Sequence, residues 1–245
     1  MADPRNPALL LLDDDPLVRE VLQTRLAAAG HEVIAVARIH DAVQHAKDVY
    51  FDCLLIDRHI GGEDGVDALQ ALRRCDGARG ARAIAISADL DDAARLQLNK
   101  AGFDACVQKP VAMTQLLAVI TGAQDPNSPA PASRSAAPAQ ILDDAAALAI
   151  WGSADTVRQL RAMLAPELDA YRFELQDCAT GRDSARLRGT LHRMRSSAGF
   201  CGAEELRRFI DATTVESDDV WTDLLIRYDA VTARLKPALQ AATAT

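Results

Sequence analysis

Three aspartates in the first half of the chain directly follow short apolar runs. Asp13 and Asp14 come after ALLLL, and Asp57 comes after CLLI. Carboxylates held close together repel one another unless a proton or a cation relieves the repulsion, and carboxylate oxygens are good ligands for Mg²⁺. If the apolar runs are neighbouring strands, the pattern predicts a Mg²⁺ site at which Asp57 can attack phosphorus in line.

Two further polar residues stand at equivalent places in later apolar runs. Ser87 ends AIAIS, and Lys109, followed by Pro110, comes after ACVQ. A hydroxyl donor and an ammonium group can neutralise the oxygen charges that develop while a phosphoryl group is transferred. We therefore place Ser87 and Lys109 in the same predicted site.

The stretch DDDP also has a structural interpretation. Asp15 suits the N-cap and Pro16 the first position of a helix, and we predict both roles. For Asp13 and Asp14 taken alone, a structural and a functional role explain the sequence equally well. The other three polar residues, each at the end of an apolar run, favour the functional role.

The second half of the chain carries His192 within TLHRMRSSAGFCGA, which has the pattern of an amphipathic helix. Four residues at spacings of three, four or seven from His192 share its face of this helix: Arg188, Arg195, Ser196 and Gly199. An imidazole beside two guanidinium groups can take up a phosphoryl group, and neutral imidazole is plentiful near pH 7. A lone helical histidine is more often a plain surface or core residue, so the residues alone leave both interpretations open.

The elements that must position the first site alternate regularly. The apolar runs ALLLL, EVIAV, DCLLI, AIAIS and ACVQ each precede a helical pattern. This alternation predicts an α/β fold, a doubly wound five-stranded parallel sheet with helices on both faces. Because reactive groups of such sheets lie at the carboxyl ends of the strands, the polar residues that follow the runs should converge.

A segment rich in proline, alanine and serine, 123–140, predicts a linker between domains at 8–122 and 141–241. Downstream of it every apolar spacing is helical, which predicts an all-α antiparallel bundle. Pro166 is expected to break or kink the first long helix. The predicted helix N-caps and terminators are Ser153, Asp183, Ser217, Gly181 and Gly202.

Composition narrows the class of protein. The chain has 245 residues, 49% of them hydrophobic, and a net charge of −8, which argues against a nucleic-acid partner. Its five cysteines are scattered without a Cys-x-x-Cys pair, which favours reduced thiols and a cytoplasmic location. We see no apolar run of membrane-spanning length and predict no membrane partner.

Residues 9–122 resemble a receiver domain of two-component response regulators, through LLLLDDDP, LLIDRHIGGEDG, AIAISAD and VQKP. The resemblance implies a flavodoxin-like fold with Asp57 as phosphoacceptor. It further implies that Ser87 senses the phosphoryl group, that Lys109 is its positive partner, and that the peptide bond between Lys109 and Pro110 is cis. The Mg²⁺ ligands that it implies are Asp13, Asp14, Asp57 and the backbone carbonyl of His59.

The segment departs from the receiver pattern at three places. Ile60 and Gly61 stand where the family commonly has Met-Pro, so we expect a less constrained loop. Cys106 replaces the usual aromatic residue three positions before the lysine. At variable positions near the phosphoryl site, His59 and Asp89 are hypothesised to tune the lifetime of the acyl phosphate.

Residues 141–240 resemble a histidine-phosphotransfer (HPt) domain, through ILDDAAALAIWG and LHRMRSSAGFCGAEEL. The family pattern His-x-Leu-Lys-Gly-Ser-x-x-x-x-Gly-Ala implies His192 as the phosphohistidine, with Met194 at the leucine and Arg195 at the lysine. Ser196 replaces the glycine one helical turn after the histidine. We predict slower phosphoryl transfer or an added hydrogen bond from this hydroxymethyl group.

Together these features predict a phosphorelay protein, rather than a conventional turnover enzyme, that carries phosphoryl groups on Asp57 and His192. The implied partners are a sensor or hybrid histidine kinase and other HPt or receiver proteins. One alternative is an interaction module in which Asp57 phosphorylation only controls access to the HPt face. Another, a Mg²⁺-dependent phosphatase, is weakened because position 59 is not the second aspartate of an Asp-x-Asp pattern. The kinase, the direction of flow and the oligomeric state stay open.

Overall fold

The computed structural model describes residues 7–88, 90–123, 140–215 and 219–244. The chain divides into two compact units, Met1–Ala130 and Pro131–Thr245. Most of the predicted linker, from 124 to 139, lies outside the described residues, and the domain boundaries stay predictions.

The first unit is built around a parallel sheet. Its strands are β1 (Ala8–Leu12), β2 (Glu32–Val36), β3 (Cys53–Asp57), β4 (His59–Ile60), β5 (Glu63–Asp64), β6 (Arg82–Ser87) and β7 (Ala105–Gln108). Its helices are α1 (Pro16–Ala28), α2 (Ile39–Asp48), α3 (Gly65–Leu72), α4 (Asp92–Lys100) and α5 (Met113–Ile120). Five strands pair in the order β2-β1-β3-β6-β7, all parallel, so the predicted sheet is confirmed.

The register of the central strands brings their carboxyl ends to one edge. Leu12 of β1 pairs with Ile56 of β3, and the next residue of β3, Asp57, pairs with Ile86 of β6. Leu9 to Leu12 are completely buried, as expected for a strand covered on both faces. The polar residues that follow these strands therefore lie side by side.

Sequence analysis missed the short antiparallel pair β4 and β5, which directly follows β3. Gly61 and Gly62 connect the two strands, and both have positive φ, +57° and +95°. Tight two-residue hairpin loops favour glycine in this conformation. The glycines thus form a turn, where we expected only a less constrained loop.

The second unit is all-helical in its described residues, 140–215 and 219–244. Its helices are α6 (Asp144–Trp151), α7 (Ala154–Gly181), α8 (Ser184–Cys201), α9 (Glu204–Asp211) and α10 (Val220–Thr243). Arg172 pairs with Asp229 and Lys236 pairs with Asp169, so α7 and α10 run in opposite directions. The buried Tyr228 hydroxyl donates to the Leu168 carbonyl at 2.7 Å and fixes the same contact.

Most of the predicted helix ends are confirmed. Asp15, Ser153 and Asp183 accept hydrogen bonds from backbone N–H groups in the first turns of α1, α7 and α8, and Pro16 opens α1. Helix α7 ends at Gly181, and Gly202 caps α8 with a φ of +63°. The predicted N-cap Ser217 lies outside the described residues.

Of the break or kink expected at Pro166, the break is wrong, because α7 is continuous from Ala154 to Gly181, and the kink stays a prediction. Pro166 has no backbone N–H, so the carbonyl of Ala162 loses its hydrogen-bond partner in the helix. Pro166 lies on the exposed side of α7, where water can reach that carbonyl. Leu164 and Leu168, on either side of the proline, are buried and hold the helix against the core.

Candidate functional site

The first site lies at the carboxyl ends of β1, β3 and β7. The Lys109 Nζ lies 2.7 Å from Asp13 Oδ2 and 2.6 Å from Asp57 Oδ2. All three side chains are 1% exposed. Asp13 precedes Asp57 by 44 positions in the sequence, and Asp57 precedes Lys109 by 52 positions. The fold therefore brings three distant residues into one buried ion-pair cluster.

Asp14 completes a group of three carboxylates. Ligand oxygens of Asp13, Asp14 and Asp57 all lie within 4.8 Å of one another. Asp14 Oδ2 also accepts a hydrogen bond of 3.0 Å from the N–H of Gly61, which ties the β4–β5 turn to the end of β1. The three acids that the sequence placed together are thus close enough to share one cation.

The carboxylate of Asp57 also holds the backbone that follows it. Asp57 Oδ1 accepts a hydrogen bond of 3.2 Å from the N–H of His59, whose side chain is exposed. The role predicted for the His59 carbonyl as a metal ligand stays a prediction. The other residue hypothesised to tune the acyl phosphate, Asp89, lies outside the described residues.

The electrostatics of the cluster favour a bound cation. Burial raises the pKa of Asp13 to about 6, and the charge of Asp57 adds to this rise, whereas Lys109 opposes it. For Lys109, burial lowers the pKa, but Asp13 and Asp57 outweigh burial and hold the pKa above its ordinary value. Lys109 therefore stays charged, and one ammonium group faces three carboxylates. A divalent ion with oxygen ligands would relieve the remaining negative charge.

Ser87 is joined to the same cluster through the backbone. It is completely buried at the end of β6, and its carbonyl accepts a hydrogen bond of 2.7 Å from the N–H of Lys109. The peptide bond between Lys109 and Pro110 is cis, as predicted. The structure thus places Asp13, Asp14, Asp57, Ser87 and Lys109 at one edge of the sheet.

One residue of this site was missed by sequence analysis. Gly65 begins α3, and its N–H donates to the carbonyl of Arg58 at 2.8 Å. Its neighbour Asp64 caps α3 by accepting from the N–H of Val66. The signal was present in the sequence EDG, an N-cap aspartate before glycine, but only the fold shows which backbone the glycine approaches.

Cys106 is buried on β7, at the position where the family usually has an aromatic residue. Its Sγ lies 3.8 Å from Asn99 Oδ1, and Arg95 donates to its carbonyl at 3.3 Å. Burial raises the pKa of the Cys106 thiol. These contacts connect β7 to α4 without an aromatic ring.

The second candidate site is the face of α8 that carries His192. His192 is half-buried, Arg188 is exposed, and Arg195 is half-buried. Arg195 Nη2 lies 3.0 Å from Asp211 Oδ1 on α9. The Ser196 hydroxyl donates to the His192 carbonyl at 3.4 Å, within the helix itself. The helix thus presents the histidine between two arginines, and one of these also binds a carboxylate.

A polar network on the opposite side of α8 was not anticipated. The hydroxyl groups of Tyr171 and Ser197 lie 3.2 Å apart, and Ser197 Oγ lies 3.4 Å from Glu167 Oε2. Farther along, Thr190 donates to Glu174 at 3.0 Å, and Arg193 pairs with the same carboxylate. These contacts fix α8 on α7 in antiparallel orientation, and therefore fix which face of α8 bears His192.

Comparison with known proteins agrees with the first site. Residues 9–121 match the family described as response regulator receiver domain. This part of the chain is therefore a receiver domain.

Two curated relatives are sensor proteins. The chain is 30% identical over 215 residues to the sensor protein GacS of Pseudomonas syringae pv. syringae, an alignment that covers 83% of this chain and 24% of GacS. It is 32% identical over 115 residues to the sensory/regulatory protein RpfC of Xanthomonas campestris pv. campestris, covering 46% of this chain and 16% of RpfC. The chain thus spans about a quarter of GacS and less of RpfC.

Among solved structures, the receiver domain of the sensor histidine kinase PA1611 from Pseudomonas aeruginosa PAO1 was crystallised with magnesium in its active-site cleft. It is 26% identical, with a TM-score of 0.44, and the match covers 48% of this chain and 96% of that one.

Among the described residues, no helix combines the length and apolar character needed to cross a bilayer.

Proposed function

We propose that this chain is a phosphorelay protein in which Asp57 accepts a phosphoryl group and His192, on an HPt domain, carries one. The observation that supports it most directly is the buried cluster in which Lys109 lies within 2.7 Å of both Asp13 and Asp57. Such a cluster combines a nucleophilic carboxylate with a fixed positive charge.

At the first site, a carboxylate oxygen of Asp57 attacks phosphorus, the bond from phosphorus to the donor breaks, and an acyl phosphate forms. Lys109 and the hydroxyl of Ser87 stabilise the charge on the phosphoryl oxygens. Asp13, Asp14 and Asp57, with the His59 carbonyl, would hold Mg²⁺, which supplies further positive charge. Three carboxylates against one ammonium group are the feature of this chain that fits the ion.

At the second site, a ring nitrogen of His192 attacks the phosphorus of an acyl phosphate, the bond between phosphorus and the carboxylate breaks, and a P–N bond forms. The basic, small-residue face of α8 supports this role, because Arg188 and Arg195 can pair with phosphoryl oxygens. The alignment with the sensor protein GacS supports a signalling role for the helical unit. It covers 83% of the chain, more than the unit Met1–Ala130 can provide, so it includes much of the helical unit.

In this role the protein carries phosphoryl groups and hands them on, and is not a conventional turnover enzyme. We propose a sensor or hybrid histidine kinase and other HPt or receiver proteins as its partners. The similarity to sensor proteins supports the first, and a histidine carrier between two aspartates would require the second. All five cysteines are free thiols, in keeping with the proposed cytoplasmic location.

The test is intact-mass analysis after incubation with Mg²⁺ and acetyl phosphate, followed by acid or base treatment to separate phosphohistidine from acyl phosphate. Wild type should gain an acid-labile phosphate that is lost in both Asp57→Ala and His192→Ala. The matched controls are Asp67→Ala and His45→Ala, which remove an exposed aspartate and an exposed histidine and should behave as wild type.

The other outcomes favour the alternatives. A base-labile adduct on Asp57 alone would favour the interaction module, in which His192 receives no phosphate from Asp57. Steady release of phosphate from generic phosphate esters would favour a phosphatase. No adduct together with no release of phosphate would contradict all three.

A further inference from the structure

An acidic residue of α9 reaches the face of α8 that carries His192. Asp211 is the last residue of α9, and its Oδ1 lies 3.0 Å from Nη2 of Arg195. Arg195 follows His192 by three residues, so their side chains project from the same side of the helix. A carboxylate therefore already occupies part of a guanidinium group that the proposed phosphoryl group would use.

Asp211 is held in this position by its own helix. Its second oxygen, Oδ2, lies 3.0 Å from Nη1 of Arg207. Arg207 in turn donates to Glu204 through Nε at 2.8 Å and Nη2 at 2.6 Å. The hydrogen bonds from Arg207 hold the pKa of Glu204 below its ordinary value. Asp211 thus binds two arginines with two oxygens and is oriented before any phosphoryl group arrives.

The ion pair between Asp211 and Arg195 is strong enough for Asp211 to compete with a phosphoryl group for Arg195. It is also weak enough for the phosphoryl group to displace Asp211. Both side chains are partly exposed, at 42% and 33%, and such pairs typically change an equilibrium constant by about 1.5- to fivefold. A phosphoryl group carries more charge than a carboxylate and has three acceptor oxygens. It can therefore displace Asp211 from Arg195 without any rearrangement of the bundle.

We propose that Asp211 competes with the phosphoryl group for Arg195 and so weakens the hold of His192 on phosphate. This inference rests on the proposed function. While His192 is unmodified, Asp211 binds Arg195. When the P–N bond forms, Arg195 turns to the phosphoryl oxygens and Asp211 keeps Arg207. Asp211 is a positioning residue, since it acts through Arg195, and it would keep the phosphoryl group easy to hand on.

The experiment measures how much phosphate His192 holds at equilibrium. The full chain with Asp57→Ala is incubated with phosphoramidate and ammonium chloride, so that no aspartyl phosphate drains the histidine. The P–N bond of phosphoramidate breaks, ammonia leaves, and the new P–N bond forms on the ring while the ring proton goes to solvent. Intact mass gives the phosphorylated fraction. Adding Asp211→Asn should raise the equilibrium constant about 1.5- to fivefold.

A double-mutant cycle separates the pair from a general charge effect. In an Arg195→Gln background, Asp211→Asn should change the constant by much less, because the arginine for which it competes is gone. The matched control is Asp169→Asn, which removes a carboxylate paired with Lys236 elsewhere in the bundle and should leave the constant unchanged. Asp211 ends its helix, where a negative charge is not favoured, so its removal should not unfold the unit.

Each result decides the inference. A constant unchanged or lowered by Asp211→Asn overturns it, even though His192 is phosphorylated and the proposed function stands. The same is true if the increase persists in full without Arg195. If the Asp57→Ala parent takes up no phosphate on His192, the proposed function fails and this inference fails with it.

Discussion

A Cβ atom built on Gly65 would lie only 2.4 Å from the carbonyl oxygen of Asp57. Helix α3 therefore starts in direct contact with the backbone of Asp57, the proposed phosphoacceptor, and only a residue without a side chain permits this approach. The distance is far below an ordinary van der Waals contact, and the neighbour is backbone, which cannot move aside as a flexible side chain can.

Gly65→Ala should therefore displace the backbone around Asp57. We expect a loss of about 1–3 kcal/mol in the free energy of unfolding, as for other overpacked sites, together with slower phosphorylation of Asp57. Urea unfolding and intact-mass analysis after acetyl phosphate treatment measure the two effects. Gly80→Ala is the control, because nothing lies within 4 Å of a Cβ built there. Equal stability of the two variants would contradict the proposed contact.

Lys109→Met should destabilise the receiver domain because it leaves Asp13 and Asp57 buried without their cation. Removing one partner of a buried ion pair costs about 3–5 kcal/mol. The urea midpoint should fall accordingly in the absence of divalent ions. Lys47→Met, which removes an exposed lysine of α2, should lie within about 0.5 kcal/mol of wild type. If both variants unfold alike, the buried cluster is not what stabilises this edge of the sheet.

Mg²⁺ should stabilise the receiver domain by binding the folded state. At an Mg²⁺ concentration about 100-fold above its dissociation constant, the expected gain is about 2.7 kcal/mol. Asp14→Asn should reduce this gain, because it removes one proposed Mg²⁺ ligand. Asp14 is the half-buried member of the carboxylate group and does not pair with Lys109 in the contacts described, so the ion pairs of Lys109 stay in place. Thermal unfolding with and without Mg²⁺ measures it. An exposed acid variant, Asp67→Asn, should keep the full gain, and a similar loss in both would contradict a specific site.

The receiver fold could be predicted from sequence because its strands are mostly apolar, and a polar residue stands at or directly after the end of β1, β3, β6 and β7. ALLLL and CLLI predict interior strands, and the parallel order then brings Asp13 and Asp57 together without any knowledge of distances. The β4–β5 hairpin was missed because two-residue strands have no hydrophobic period to detect. The approach of Gly65 to Asp57 depends on tertiary geometry that no local pattern encodes.

In the helical unit, sequence patterns predicted the helices and the caps Ser153 and Asp183, because these depend on neighbouring residues alone. They did not foresee that α7 continues unbroken through Pro166, where burial of Leu164 and Leu168 outweighs one lost hydrogen bond. The pair between Arg195 and Asp211 joins two helices across a turn, and only their packing brings it about. Local rules thus predict where elements begin and end, and tertiary contacts determine which side chains meet.

Cysteine reactivity should follow burial. Burial raises the pKa of the Cys53 thiol to about 12, so almost none of it is thiolate at pH 8. Cys75, in the same unit, is only partly buried. We expect iodoacetamide to modify Cys75 first in the native protein and Cys53 only after unfolding, as followed by peptide mass mapping over time. Early labelling of Cys53 would show that β3 opens locally.

Ser196→Gly tests whether the hydroxymethyl group one turn after His192 hinders phosphoryl transfer. Ser196 is buried, and its hydroxyl donates to the His192 carbonyl at 3.4 Å, so it occupies space on the histidine's side of α8. Glycine there should let a donor approach closely and speed single-turnover uptake of phosphate by His192. It should also cost about 0.5–1 kcal/mol of stability, because glycine weakens a helix interior. Ser196→Ala serves as the control, because it removes the hydrogen bond and keeps the Cβ. If only Ser196→Gly transfers faster, steric access explains the effect. If both variants transfer faster, the hydroxyl explains it. A wild-type rate in both variants would contradict any role of Ser196 in transfer.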